Sequence, residues 1–263
     1  MKYALINDQR VEATSKGKAT CPICGTVVIA KCGTRRIHHW AHKGLENCDP
    51  WKESETLWHR AWKDKYPTDW QEYTQHDPQT GEKHIADVRT VHGLVIEFQH
   101  SHIDPKERIA REQFHKNMFW MVDGTRLKRD LPRFDKGKSN FRHTPLKGFF
   151  IANLPEEIFP EEWLESSAPV VFDFVGLSSL SSPDFIREHL WCLFPGRADG
   201  NIIVAVMSRS EFVAAASISP YIFRDPAHAF VNAFSESSRV GTNFTIPLPD
   251  FRRQQMRRRS FRL

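Results

Sequence analysis

His84-Ile85-Ala86-Asp87-Val88-Arg89-Thr90, then Val91-His92-Gly93, then Leu94-Val95-Ile96-Glu97-Phe98-Gln99 is the stretch that decides the fold of this 263-residue chain. Two runs rich in β-branched and apolar residues flank a turn that ends in glycine, so the stretch reads as a β-hairpin. Each run carries one acid, Asp87 or Glu97, where a charge is costly unless it is paired or bound to metal. The register decides whether the two acids meet. A two-residue His92-Gly93 turn puts them on opposite faces, since a slip of one residue inverts every side chain. A three-residue loop, Val91-His92-Gly93, with Gly93 left-handed, pairs Thr90 with Leu94 and sets Asp87 opposite Glu97. Their Cβ atoms then lie about 5 Å apart, close enough to share a divalent cation. Gln99 follows on the face of Glu97.

Working outward, residues 53–65 read as a helix with Leu57, Trp58, Ala61 and Trp62 on one face, ended by Pro67. Glu55 and His59, at i and i+4, project from one side of it. Each also has an ordinary reading: an acid favoured by the helix dipole, and a partly buried structural histidine. Residues 70–75, 84–91 and 94–101 read as strands. Asp104-Pro105-Lys106-Glu107 is a helix start, with Asp as N-cap, Pro at the first position and Glu closing a capping box. That helix runs to about Asn117, and 118–122 is a further strand. The order is helix, three strands, helix, strand.

The front of the chain holds four of its five cysteines. Cys21-Pro-Ile-Cys24 is a knuckle, followed by His38, His39, His42 and Cys48. Zinc takes four such ligands in a tetrahedron, and a small element with little core gains folding energy from it. Cys21, Cys24, His42 and Cys48 are the expected set, with His39 the rival to His42. A redox Cys-x-x-Cys is the alternative, and the histidine and cysteine that follow favour metal. Cys32 and Cys192 are read as buried or incidental.

Charge is unevenly spread. The net +5 of the whole chain is matched by the tail alone, where Asp250 faces Arg252, Arg253, Arg257, Arg258, Arg259 and Arg262. Residues 1–48 are also +5, so the stretch between is −5. Basic ends around an acidic middle suit a protein that holds polyanion outside and divalent metal inside; a solubilising tail is the plainer reading. Neither a signal peptide nor an apolar run of about 18 residues is visible, so a cytoplasmic protein without a membrane span is expected. Three regions follow: 1–48 as a zinc-binding element, 49–124 as the core, and 125–263 as a C-terminal α+β region with an arginine-rich tail. The last holds 16 of the 19 phenylalanines, which argues for folding rather than disorder. Strands are expected at 170–175, 189–194 and 202–207, and a loop at 178–183.

The series Cys21-Pro-x-Cys24, His39-Trp40-Ala41-His42, Glu55-x3-His59, Asp87-Val88, Glu97-Phe98-Gln99-x-Ser101-x-Ile103, Glu107-Arg108 and Phe119-Trp120-Met121-Val122 resembles the nuclease-like domain of the competence protein CoiA family. The resemblance covers about residues 19–124. It implies an α/β fold of the restriction-endonuclease-like PD-(D/E)XK kind, a mixed sheet flanked by helices. In that family pattern Asp87, Glu97 and Glu55 take the acidic roles, and Gln99 stands where lysine is commonest.

The reaction so implied is hydrolysis of DNA phosphodiesters. Asp87, Glu97 and Glu55 would hold Mg²⁺ or Mn²⁺, with the Phe98 carbonyl as a further ligand, while zinc stays structural. Gln99 would orient water, and a cation would come from His59, Lys63 or Arg108. Arg108, Arg111 and His115 lie on the polar face of their helix, for phosphate contact or simply for solvent. Partners expected are DNA and recombination or defence proteins. The alternative is a non-catalytic DNA-binding or recombination-accessory protein on a nuclease fold. A zinc hydrolase built on the cysteine cluster fails, because four protein ligands leave no place for water.

Overall fold

The computed structural model describes residues 1–34, 37–44, 48–51, 55–176, 184–197 and 200–223. Five short strands come first: β1 (Tyr3–Ile6), β2 (Gln9–Glu12), β3 (Lys18–Thr20), β4 (Val27–Lys31) and β5 (His39–His42). They form an antiparallel sheet in the order β2-β1-β3-β4-β5. Its core is small, with Met1, Ala4, Ala13, Ala19, Cys21 and Val28 around Trp40. Trp40 is wholly buried and its indole N–H donates to the Val11 carbonyl at 2.9 Å. Gly17 permits this, because a Cβ there would come within 2.9 Å of the indole ring. So small a core gains from a metal that ties its loops together.

Next come α1 (Leu57–Lys63), β6 (Gln71–His76), β7 (Lys83–Arg89), β8 (Val95–Gln99), α2 (Pro105–His115) and β9 (Met118–Asp123), in the order the sequence predicts. Helix α1 is shorter than expected at its start. Thr56 is its N-cap, accepting from the His59 amide while the His59 ring accepts from the Thr56 amide. Glu55 therefore precedes the helix instead of standing one turn below His59. In α2 the Asp104 carboxylate accepts from the amides of Lys106 and Glu107, and Pro105 starts the first turn.

The chain continues through α3 (Asp130–Gly137), β10 (Phe141–His143), β11 (Phe149–Ala152), α4 (Glu161–Leu164), β12 (Val170–Asp173), α5 (Phe185–Glu188), β13 (His189–Leu193), β14 (Ile202–Ser208) and α6 (Arg209–Ile218). Strands β12, β13 and β14 lie where strands are expected. They do not build a layer of their own. One nine-stranded sheet runs β10-β11-β14-β13-β12-β9-β8-β7-β6, with β8–β9 and β9–β12 parallel and the other pairs antiparallel. Both faces are covered. Trp58 and Trp62 of α1 and Phe212 of α6 pack with Val88, Ile96, Phe98 and Met121; Phe134 of α3 and Trp163 of α4 pack with Trp120, Val170 and Phe172.

Helix α1 is pinned by a buried acid. Asp173 Oδ2 accepts from the indole N–H of Trp58 at 3.2 Å and of Trp62 at 3.0 Å, and Arg209 neutralises its other oxygen. Each indole left unpaired would cost about 1–3 kcal/mol. No helix among the described residues is long and apolar enough to cross a membrane. The expected loop at 178–183 and the arginine tail, Arg252, Arg253, Arg257, Arg258, Arg259 and Arg262, lie outside the described residues.

Candidate metal centre and acidic cavity

Cys21 follows β3, Cys24 sits in the turn behind it, His42 closes β5, and Cys48 comes back from beyond. One ligand atom from each lies within 4.8 Å of the others. Cys21 Sγ is 3.6 Å from Cys48 Sγ, and Cys24 Sγ is 3.3 Å from His42 Nε2. Ligands bonded to zinc at about 2.0–2.3 Å in a tetrahedron sit roughly 3.3–3.8 Å apart, so three thiols and one imidazole fit the ion. Backbone bonds shape the knuckle: Gly25 N–H to Cys21 O at 3.0 Å, and Cys21 N–H to Thr26 O at 2.9 Å. Against the effect of burial, hydrogen bonds with Thr26 and then His42 hold the Cys24 thiol down to about 6. Burial and the neighbouring Cys21 push Cys48 up to about 12. Thiols this crowded do not all ionise unless a cation joins them. His39 is turned elsewhere, its Nδ1 2.8 Å from the Ile37 carbonyl. The cluster can hold a metal such as zinc.

The hairpin has the three-residue loop. Thr90 N–H donates to Leu94 O and Gly93 N–H to Thr90 O, both at 2.9 Å, and Gly93 has φ +82°. Val88 pairs with Ile96 and Arg89 with Val95, so the next rung sets Asp87 opposite Glu97. Side chains make that rung. Asp87 N–H donates to Glu97 Oε1 at 3.2 Å, and Phe98 N–H donates to Asp87 Oδ2 at 3.0 Å.

Asp49, Glu55, Glu72, Asp87 and Glu97 all line one cavity of about 50 Å³, with Lys63 and Arg111 between them. Lys63 Nζ is 3.0 Å from Glu55, 3.2 Å from Glu72 and 3.3 Å from Asp87. Burial opposes its charge, yet Glu72, Asp87 and Glu55 together hold the ammonium above the usual lysine range. Glu97, buried, accepts from Arg111 at 3.2 Å. Burial and the charge of Asp87 still push it up to about 8, against the pull of Arg111. Arg60 pairs with Glu55 and the N-terminal ammonium lies beside Glu72, so these acids are largely matched by cations, and the atoms they offer are all oxygen. Among the described residues, the group whose ligand atoms already lie close enough together to hold a metal ion is the cysteine–histidine cluster.

The other expected site residues are placed differently from one another. Glu55 reaches the cavity from outside the helix, fixed by Arg60 at 3.0 Å and by Lys63. His59 Nδ1 accepts from the Thr56 amide, and its Nε2–H donates to the Phe98 carbonyl at 2.9 Å, so it positions that carbonyl from inside the fold. Gln99 is buried beside the cavity rather than lining it, its amide donating to the Ser101 carbonyl at 3.1 Å. Arg108, Arg111 and His115 form no solvated face; all three are buried. Arg108 pairs at 2.8 Å with Glu112, which also accepts from Trp120, Ser166 and Ser167. Arg108 thus ties α2 to the sheet and is closed to a phosphate in this arrangement.

Glu72 and Asp49 escaped the sequence reading. Glu72 sits in a polar run, Gln71-Glu72-Tyr73-Thr74-Gln75-His76, where nothing marks one acid. Its φ of +44° takes it out of the pleat beside Asp87, a strained state that functional sites tend to keep. Its carboxylate accepts from the Lys2 amide at 2.7 Å and the Tyr3 amide at 3.0 Å. Asp49 follows Cys48 and reads as part of an Asp-Pro turn; only adjacency to a metal ligand could have drawn notice.

Residues 5–50 match the family model described as Competence protein CoiA, N-terminal domain. No curated protein and no solved structure matches the chain.

Proposed function

We propose, from the premise that the chain is CoiA-like over residues 5–50, that it is a divalent-metal-dependent nuclease that acts on DNA in competence or a related recombination, repair or defence process. The observation that carries this reading is the Asp87–Glu97 rung, opening onto a cavity lined by five carboxylates. The helix, three-strand, helix, strand order with both acids on the central hairpin supports the restriction-endonuclease-like reading of 49–124.

Asp87, Glu97 and Glu55 would hold Mg²⁺ or Mn²⁺, with Glu72 and the Phe98 carbonyl at hand. When bound there, such an ion would make its water more acidic and would offset charge on the phosphate. Lys63 stays charged, so it does not act as a base; its ammonium meets Glu55, Glu72 and Asp87, and metal on those acids would free it to donate to a phosphate oxygen. This fills the cationic place that Gln99 leaves empty. His59 keeps the Phe98 carbonyl in place, and Arg111 keeps the Glu97 carboxylate in place. The test is incubation with labelled single-stranded, duplex and branched DNA in Mg²⁺, in Mn²⁺ and in EDTA. Metal-dependent cleavage of at least one form is expected; binding without cleavage in any metal would favour the recombination-accessory reading.

A further inference from the structure

Between the cysteine cluster and the acidic cavity runs a strap of four described residues, Cys48-Asp49-Pro50-Trp51. Cys48 contributes to the metal cluster. The next residue, Asp49, is buried and grips β7: its Oδ1 is 2.9 Å from His84 Nδ1, and its Oδ2 accepts from the Ile85 amide at 2.8 Å. Ile85 is two residues from Asp87 on the same strand. Trp51 lies flat on the His84 ring, centroids 3.3 Å apart, with Phe114 of α2 against both rings. The Trp51 carbonyl accepts from Arg111, and the same guanidinium holds Glu97. The strap that begins at Cys48 of the cluster therefore reaches Glu97 through Arg111, and its Asp49 contact lies two residues along β7 from Asp87.

From this we infer that zinc at Cys21, Cys24, His42 and Cys48 sets the geometry of the acidic cavity, through Asp49 and Trp51 as positioning residues. The inference rests on the nuclease reading only for what the cavity does, since the coupling concerns shape. A strap tethered at Cys48 keeps Asp49 on Ile85 and Trp51 under Arg111. Without the tether, Arg111 loses its backbone acceptor and Glu97 loses its fixed partner. Outer contacts of this kind change metal affinity by about 10–100-fold when removed.

The test uses the full chain. Mn²⁺ affinity is measured by titration calorimetry, and exchange of the Ile85 and Asp87 amides is followed, in three samples: wild type with zinc, wild type stripped by chelator, and Asp49→Ala. The Asp49→Ala protein should keep its zinc yet bind Mn²⁺ about tenfold more weakly, with faster exchange at both amides. Chelated wild type should show the same loss, restored when zinc returns, and this arm stands if Asp49→Ala folds poorly. Unchanged Mn²⁺ affinity and unchanged exchange on zinc removal would overturn the inference. Should wild type bind no Mn²⁺ while zinc removal still speeds exchange at Ile85 and Asp87, the coupling would stand and the nuclease reading would fall.

Discussion

Lys63 answers a difficulty that Gln99 raises. An amide cannot supply charge to a phosphate, and the Gln99 amide is already bonded to Ser101. Lys63 lies within 3.3 Å of three carboxylates from three segments. Lys63→Met should therefore lower kcat by about 100-fold or more, as removal of one transition-state donor does. Mn²⁺ binding should be kept or tightened, because a cation has left the acids; a loss of both would mark Lys63 as merely structural. Gln99→Ala should cost less than about tenfold. Glu97 makes a second prediction. With its pKa raised from 4.5 to about 8, it is mostly neutral at pH 7 without metal. Binding a cation must expel that proton. Calorimetry in buffers of different ionisation heat should find close to one proton released per Mn²⁺ at pH 7, and affinity that climbs until pH passes about 8; an affinity flat from pH 6 to 9 would contradict it. The sign for the metal-free fold is opposite. A raised carboxyl pKa stabilises below the ordinary 4.5, and that contribution is lost as pH rises through about 8.

At the scale of elements, the hairpin was legible because its cause is local. Only a left-handed third loop residue gives the register that joins the two acids, and Gly93 stands there. The α2 cap was legible for the same reason, since Asp104-Pro105 acts within one turn. The start of α1 was not: Thr56 and His59 cap each other, and a histidine in that place has no strong signature. Nor did helical periodicity show that Arg108 and Arg111 point inward: Arg108 and Glu112 stand at i and i+4, a spacing equally common on a solvated face, and Glu97, which receives Arg111, lies on another element. In the N-terminal sheet His42 was the expected ligand with His39 its rival, and strand β5 sets the two on opposite faces. His42→Ala should therefore release the metal, whereas His39→Ala should retain one zinc per chain by elemental analysis. Retention by the first and loss by the second would reverse the ligand assignment.

For the whole molecule, the C-terminal strands were visible as apolar runs, yet their joining of the same sheet was not. Pairing between β9 and β12 depends on complementary edges nearly fifty residues apart, which no local pattern encodes. The uneven charge belongs to this scale too. If the arginine tail contributes contacts to phosphate, each adds a slope of about −0.9 to log K against log salt on duplex DNA. Deleting residues 250–263 should weaken binding and flatten that slope; an unchanged slope would leave the tail a solubilising extension. On the proposed function, carboxylates at the Asp87–Glu97 rung would bind the ion needed for DNA cleavage. The most direct test compares wild type, Asp87→Asn, Glu97→Gln and the double variant, purified in parallel and assayed on the same labelled DNA in Mn²⁺. A neutral amide cannot replace an anionic ligand, so wild type should cleave and all three variants should lose at least about 100-fold in rate while still binding DNA without metal. Cleavage that persists unchanged in the double variant would contradict the account.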